Sequence, residues 1–123
     1  MTLREQLEYA ARAYWGDEID DVVSVEWGEL ENEILYTHAD NQNHNGQDVA
    51  YCWNPLTDQA DSDRMACKLR IEVQFSQNFI VAFTADNRGI QIMQIAHNNT
   101  DEDVCRAVRE ARMAVAVEIG RQM

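Results

Sequence analysis

The pattern of apolar and polar positions predicts a helix at the start of the chain. From Leu3 onward, apolar residues recur at helical spacing, which places them on one face. Thr2 and Glu5 have the spacing of a capping box, in which each side chain satisfies the other residue's backbone N–H. Gly16 supplies a left-handed stop. We therefore expect a helix over residues 3–15.

The same reasoning predicts two more helices in the second half of the chain. Asp58, or Thr57 before it, can cap a helix over residues 58–69. Thr100 marks the start of a longer helix over residues 101–120, whose apolar positions lie along one side.

Strand patterns lie between these helices. Residues 71–75 alternate apolar and polar side chains, residues 79–84 are apolar on both faces, and residues 90–95 are mostly apolar. The connections are short enough for hairpins, so the three segments predict an antiparallel meander with 79–84 at its centre. Together with the helices this indicates an α+β fold, an antiparallel sheet with three helices in α/β/α sandwich layers.

Residues 17–36 mix strand-forming residues with acids and predict two short strands. The polar tract that follows, from His38 to Asp48, is typical of a solvated loop. The sequence contains 123 residues, the usual size of one domain, so we expect a single domain over residues 1–123.

Net charge is the unusual bulk property. The chain has 22 acidic and 10 basic residues, a formal charge of −12. Such a chain repels nucleic acid and anionic lipid, so we expect neither as a direct partner. Between residues 17 and 33 there are eight acids and no lysine or arginine. These acids are Asp17, Glu18, Asp20, Asp21, Glu26, Glu29, Glu31 and Glu33.

Two polar groupings suggest sites, and both have simpler explanations. Trp53-Asn54-Pro55 with Asp58 and Asp61 has the residue types of an anion pocket at a helix start. Proline in a turn, acids capping the helix and a tryptophan in the core account for the same residues, and we prefer this interpretation.

The second grouping combines histidines and aspartates in the polar loop, which suggests a metal site. The loop residues that begin like a calcium motif place Cys52 where the bidentate glutamate belongs, so we reject calcium. A solvated turn is the preferred interpretation. The candidate ligands are His38, Asp40, His44 and Asp48.

Chemistry elsewhere in the sequence is sparse. Cys52, Cys67 and Cys105 match no zinc or redox spacing, and we expect free thiols, with the two in helices buried as small hydrophobic residues. Cys52 with His97 or His38 is the one formal nucleophile and base pair, and no motif surrounds it. The sequence therefore predicts no metal, no cofactor and no catalytic group, hence no enzyme.

No apolar run approaches the ~20 residues that cross a bilayer, and the first residues lack the features of a signal peptide. We expect a protein that stays in the cytoplasm where it is made, without membrane attachment.

Parts of the sequence resemble a known group of phage proteins. The resemblance begins at Trp53-Asn54-Pro55-Leu56-Thr57-Asp58 and continues through Asp61, Met65-Ala66, Lys68-Leu69 and the strand 71–75. Arg106-Ala107-Val108 and Glu118-Ile119-Gly120-Arg121 extend it into the final helix. These segments are similar to the phage ABA-sandwich domain family, which includes prophage proteins of the NinX type. The resemblance implies a phage or prophage origin and helices on both faces of a sheet, and it carries no activity.

Two functions follow as hypotheses. In the first, the chain is a non-enzymatic phage accessory protein whose acidic segment engages a basic host protein, as an inhibitor or DNA mimic. The contact residues are then the eight acids of 17–33 and Trp27, an apolar anchor within an acidic rim. In the second, the chain is a small homodimeric regulatory or structural phage protein, and its acidity only confers solubility.

Overall fold

The computed structural model describes residues 2–16, 23–27, 34–38, 51–84 and 93–123. Three helices and six strands lie in these segments. In chain order they are α1 (Leu3–Trp15), β1 (Val23–Trp27), β2 (Ile34–His38), β3 (Tyr51–Trp53), α2 (Gln59–Leu69), β4 (Ile71–Phe75), β5 (Phe79–Thr84), β6 (Met93–Ala96) and α3 (Asp101–Arg121). The predicted α+β class, with an antiparallel sheet and three helices, is confirmed.

Each helix begins at a residue whose side chain accepts a hydrogen bond from a backbone N–H of the first turn. Thr2 and Glu5 form both bonds of the predicted capping box. Asp58 accepts from the N–H groups of Ala60 and Asp61, and Thr100 accepts from that of Asp103. The predicted helix starts are correct to within one residue, because these caps satisfy N–H groups that have no partner inside the helix.

The first sheet contains β1, β2 and β3 in that order, all antiparallel. Its strands β1 and β2 correspond to the two short strands predicted within residues 17–36, although β2 extends to His38. Strand β3 has three residues, too few to show an alternating pattern, and was not predicted.

The second sheet has the order β4, β5, β6, with β5 in the centre as predicted. The bounds of β4 and β5 equal the predicted ranges. The predicted third strand, 90–95, corresponds to β6, which extends to Ala96; residues 90–92 lie outside the described residues.

Register divides the described residues of the second sheet between two faces, because cross-strand partners point the same way. Except for Phe75, which is 66% exposed, the inner-face residues are buried or pack against the hydrophobic core, and α3 lies against this face. Its residues are Ile71, Val73, Phe75, Ile80, Ala82, Thr84, Met93 and Ile95. The outer face carries Glu72, Gln74, Phe79, Val81, Phe83, Gln94 and Ala96.

Helix α3 is the centre of the described core. It contacts all three strands of the second sheet on one side and packs against α1 and α2 as well. Helix α1 lies against it at Gly120, where an added Cβ would be 2.0 Å from the carbonyl oxygen of Tyr9. The helix was predicted to end at Gly120, whereas α3 continues to Arg121, and the absence of a side chain at Gly120 permits this crossing.

Candidate functional site

The Trp53-Asn54-Pro55 turn connects the end of the first sheet to α2. The Asn54 side-chain oxygen accepts the N–H of Leu56 at 2.9 Å, and the Asn54 carbonyl accepts the N–H of Asp58 at 2.9 Å. An Asn that bonds to its own backbone two residues on is a recurrent turn device. These local bonds hold the segment that leads into the Asp58 cap.

Asp61 fixes the turn from the helix side. Its side chain is 3% exposed, accepts the backbone N–H of Asn54 at 3.0 Å and pairs with Arg64 at 2.5 Å. A buried carboxylate needs such partners, since an unpaired buried charge is costly. With its described contacts inside the protein, Asp61 supports the capping interpretation of this grouping over the anion pocket.

Trp53 joins the turn to α1 through an aromatic cluster. Its ring stacks on Tyr14 with centroids 5.6 Å apart and lies 4.9 Å from the ring of Trp15. Lys68 of α2 places its ammonium 4.7 Å from the centre of the Tyr14 ring, the distance of a cation–π contact. Burial raises the pKa of the Tyr14 hydroxyl. The tryptophan is 1% exposed, as expected of a core residue.

Three arginines of α3 occupy the border of its apolar stripe, at positions 106, 109 and 112. Arg109 donates to the carbonyl of Leu56 at 2.9 Å, and Arg112 donates to Asp63 at 2.6 Å. Both therefore bind the turn and α2 to the final helix. These contacts were not predicted; the spacing of three, which keeps the arginines on adjoining sides of one helix, is the sequence signal for them.

Arg106 instead organises the start of α3. It pairs with Asp103 at 2.7 Å and Glu110 at 2.6 Å, and donates to the carbonyl of Ala96 at 2.9 Å. The Arg106 hydrogen bond, followed by the N–H of Asn98, lowers the pKa of the Asp103 carboxyl. In the same way Arg112 and then Gln59 lower the pKa of Asp63. Such carboxylates contribute stability above their unfolded-state pKa that is lost as the pH falls through the folded-state value.

An open cleft of about 360 Å³ lies at the start of α3. It has two acids and two arginines among its lining residues, so the formal charges cancel, and the arginines already bond to the protein. Neither a nucleophile with a base nor an excess of one charge is present in this lining. The lining residues are Asn98, Thr100, Glu102, Asp103, Arg106 and Arg109.

The predicted partner-binding residues fall largely outside the described part of the chain. Glu26 and Trp27 lie in β1, where their Cα partners in β2 are Leu35 and Ile34. The other predicted contact residues lie in the connections before and after β1, outside the described residues. They are Asp17, Glu18, Asp20, Asp21, Glu29, Glu31 and Glu33.

Most of the histidine-containing loop also lies outside the described residues. His38 is the last residue of β2, and Asp40, His44 and Asp48 lie outside the described residues. Within the described segments, no group of three or more His, Cys, Asp or Glu side chains has the arrangement of a metal site.

The predicted burial of the helical cysteines is wrong. Cys67 and Cys105 are exposed free thiols, and Cys52 is exposed as well. Cys67 has the buried residues Met65, Ala66 and Leu69 as neighbours in sequence. Cys105 precedes the buried pair Ala107 and Val108. Helical phase, and not the hydrophobicity of the thiol, decides which side of the helix each cysteine occupies.

Comparison with known families, with curated proteins and with solved structures found no match. In the described segments, none of the helices combines the length and apolar character needed to cross a membrane.

Proposed function

We propose that the protein is a non-enzymatic binding module, a phage or prophage accessory protein of the host cytoplasm. Its acidic segment, residues 17–33, engages a basic protein of the host, as an inhibitor or a DNA mimic. The observation that carries the proposal is the uneven distribution of charge along the chain.

Segments 2–16, 52–84 and 93–123 hold eleven acids and nine bases, a net charge of −2. The remaining segments, 17–51 and 85–92, hold eleven acids and one base, a net charge of −10. Nearly all of the excess negative charge therefore lies in about a third of the chain. Like charges at this density repel one another and oppose compaction, which favours a role in attracting a partner.

Ion pairs within the described segments support the same conclusion. Five arginines there pair with acids close by in the fold, and Lys68 lies over an aromatic ring. Contacts among the described residues thus engage much of the positive charge in these segments. A basic partner is the natural source of the positive charge that the acidic segment lacks. The paired arginines are Arg4, Arg64, Arg106, Arg112 and Arg121.

The test is charge reversal at Glu29, Glu31 and Glu33 to lysine, followed by affinity capture from a bacterial lysate. The wild-type protein should retain basic proteins at about 50 mM NaCl and release them by about 500 mM, because salt screens charge attraction. The triple variant should retain much less at low salt.

A control variant makes the same change in charge elsewhere, with Glu8, Glu110 and Glu118 replaced by lysine. These are surface positions in ion pairs worth about 0–1 kcal/mol each. The control should capture what the wild type does, and circular dichroism should show all three proteins folded. If the Glu29, Glu31 and Glu33 variant captures the same proteins at every salt concentration, the acidic interface is refuted.

A further inference from the structure

His97 joins two turns at one end of the second sheet. It follows β6 and is half-buried, and its ring contacts both the β4–β5 turn and the loop of residues 97–100 that leads into α3. Its Nε2 atom is 3.1 Å from the carbonyl oxygen of Ser76, and its Nδ1 atom accepts the backbone N–H of Asn99 at 3.1 Å. The side chain therefore links the turn to the loop.

These two contacts specify the protonation state of the imidazole. A backbone carbonyl only accepts and a backbone N–H only donates, so Nε2 must carry the proton and Nδ1 must be without one. The neutral ring with its proton on Nε2 is the one form that makes both bonds. A protonated imidazole has donors at both nitrogens, so it keeps the bond to Ser76 but cannot accept the N–H of Asn99.

Asn99 is the residue that the second bond holds in place. Its φ is +68°, in the left-handed region that residues other than glycine rarely adopt. Beside it, the Asn98 side-chain oxygen accepts from the backbone N–H and the hydroxyl of Thr100, the residue that caps α3. Asn98 and Thr100 also line the open cleft at the start of α3. A change at Asn99 thus reaches both the helix start and the cleft.

Helix α3 supplies the charged groups that face His97. Asp103 pairs with Arg106 at 2.7 Å; Arg106 is the first cause of the lowered pKa of Asp103, and the charge of His97 is a further one. The β4–β5 turn, β5 and β6 contain no titratable side chain in their described residues. An acid beside an imidazole favours its protonated form, and an arginine disfavours it. The other acids of the adjoining elements are Asp101 and Glu102 in the first turn of α3 and Glu72 in β4.

Imidazole changes its charge between about pH 5 and pH 8. We propose that His97 is a pH-sensitive switch, which holds the 97–100 loop while the ring is neutral and releases Asn99 when the ring is protonated. After release, Asn99 is free to leave the left-handed conformation while Nε2 keeps the ring on Ser76, and the cleft changes shape. Asn99 is exposed, so water replaces the lost acceptor and the protein stays folded.

NMR spectroscopy of the full chain, labelled with ¹⁵N, tests the switch. At about pH 8 the ring should have its proton on Nε2, and a scalar coupling across the hydrogen bond should connect Nδ1 to the Asn99 amide nitrogen. At about pH 5 that coupling should disappear.

Amide exchange with water gives a second measurement. After correction for the intrinsic pH dependence of exchange, the Asn99 amide should exchange about fivefold faster at the lower pH, since one hydrogen bond of ordinary net strength gives about that protection. The amide of Asn98 is the internal reference, because it donates to the Asp103 carboxylate, which stays ionised in this range.

Two variants separate the roles of the ring nitrogens. His97→Asn supplies an acceptor that does not titrate, two residues before the Asn99 N–H as in an Asx turn, so this amide should stay protected at both pH values. His97→Gln has a longer side chain whose amide nitrogen can donate to Ser76, so the Asn99 amide should be unprotected at both. Circular dichroism should show both variants folded.

The wild-type spectra alone can overturn the switch, even if a variant fails to fold. They do so if Nδ1 carries the proton or shows no coupling at the higher pH, if the coupling persists at the lower pH, or if the exchange ratio is equal at both. A pH-dependent ratio of the same size in His97→Asn would also refute it, because the titrating group would then be another residue.

Discussion

Asp61 and Asp63, two residues apart in α2, show how position determines what a carboxylate contributes. Both pair with an arginine, Asp61 with Arg64 and Asp63 with Arg112. Asp61 is 2% exposed and also accepts the buried N–H of Asn54, while the Asp63 side chain is 56% exposed. Removing the first carboxylate leaves a buried N–H without its acceptor, whereas water can replace the second.

We predict that Asp61→Ala lowers the free energy of unfolding by about 1–3 kcal/mol, because it leaves the buried N–H of Asn54 without its acceptor. Asp63→Ala, the matched control in the same helix, should cost no more than about 1 kcal/mol, because the Asp63 carboxylate is exposed to water and Arg112 also donates to Ser62. Urea denaturation followed by circular dichroism measures both. Equal losses for the two variants would show that Asp61 does not hold the turn.

At the scale of elements, the crossing of α1 and α3 depends on a residue without a side chain. An added Cβ at Gly120 would meet the Tyr9 backbone, with the carbonyl carbon at 2.7 Å and the Cα at 3.1 Å. Backbone atoms cannot rotate away as a side chain does, so the two helices would have to separate.

Gly120→Ala should therefore destabilise the protein by about 1–3 kcal/mol, the usual cost of overpacking. The sign is the informative part, since replacing glycine by alanine inside a helix ordinarily stabilises it by about 1 kcal/mol. Arg121→Ala, at the exposed neighbouring position, serves as the control and should change stability by less than about 1 kcal/mol. Thermal unfolding compares the three proteins. A Gly120→Ala protein more stable than wild type would contradict the close crossing.

At the scale of the whole molecule, charge and core occupy different parts of the chain. The segments that build the described core are nearly neutral, while the connections around β1 and β2 carry most of the −12. Self-repulsion from such a charge opposes the compact state. Stability should then depend on ionic strength.

We predict that raising NaCl from about 10 to about 300 mM increases the melting temperature by about 2–5 °C, because a shorter Debye length weakens repulsion. Replacing Glu29, Glu31 and Glu33 by lysine changes the net charge from −12 to −6, so its melting temperature should rise less with salt. Differential scanning fluorimetry measures both dependences. An equal rise in the two proteins would show that these three acids do not contribute to the repulsion.

The sequence alone determined the helices and most strands of the described part. The helix starts are predicted by Thr2, Asp58 and Thr100, because a cap is a local interaction between residues at most three apart. Alternation along 71–75 and the apolar run 79–84 likewise mark strands because side-chain direction repeats every two residues. The acidic segment also follows from the sequence directly, since charge can be counted without a fold.

Tertiary structure decided what depends on residues distant in the chain. From the sequence, Gly120 is predicted as a helix end and Asp61 as an acid of the first helical turn. The structure shows that Gly120 packs against the Tyr9 backbone and that Asp61 accepts a hydrogen bond from the Asn54 N–H. The exposed cysteines follow from how α2 and α3 are rotated against their neighbours. Local patterns specify elements, because their energies come from near neighbours. The faces that become core or surface also depend on packing between residues more than a hundred positions apart, such as Tyr9 and Gly120.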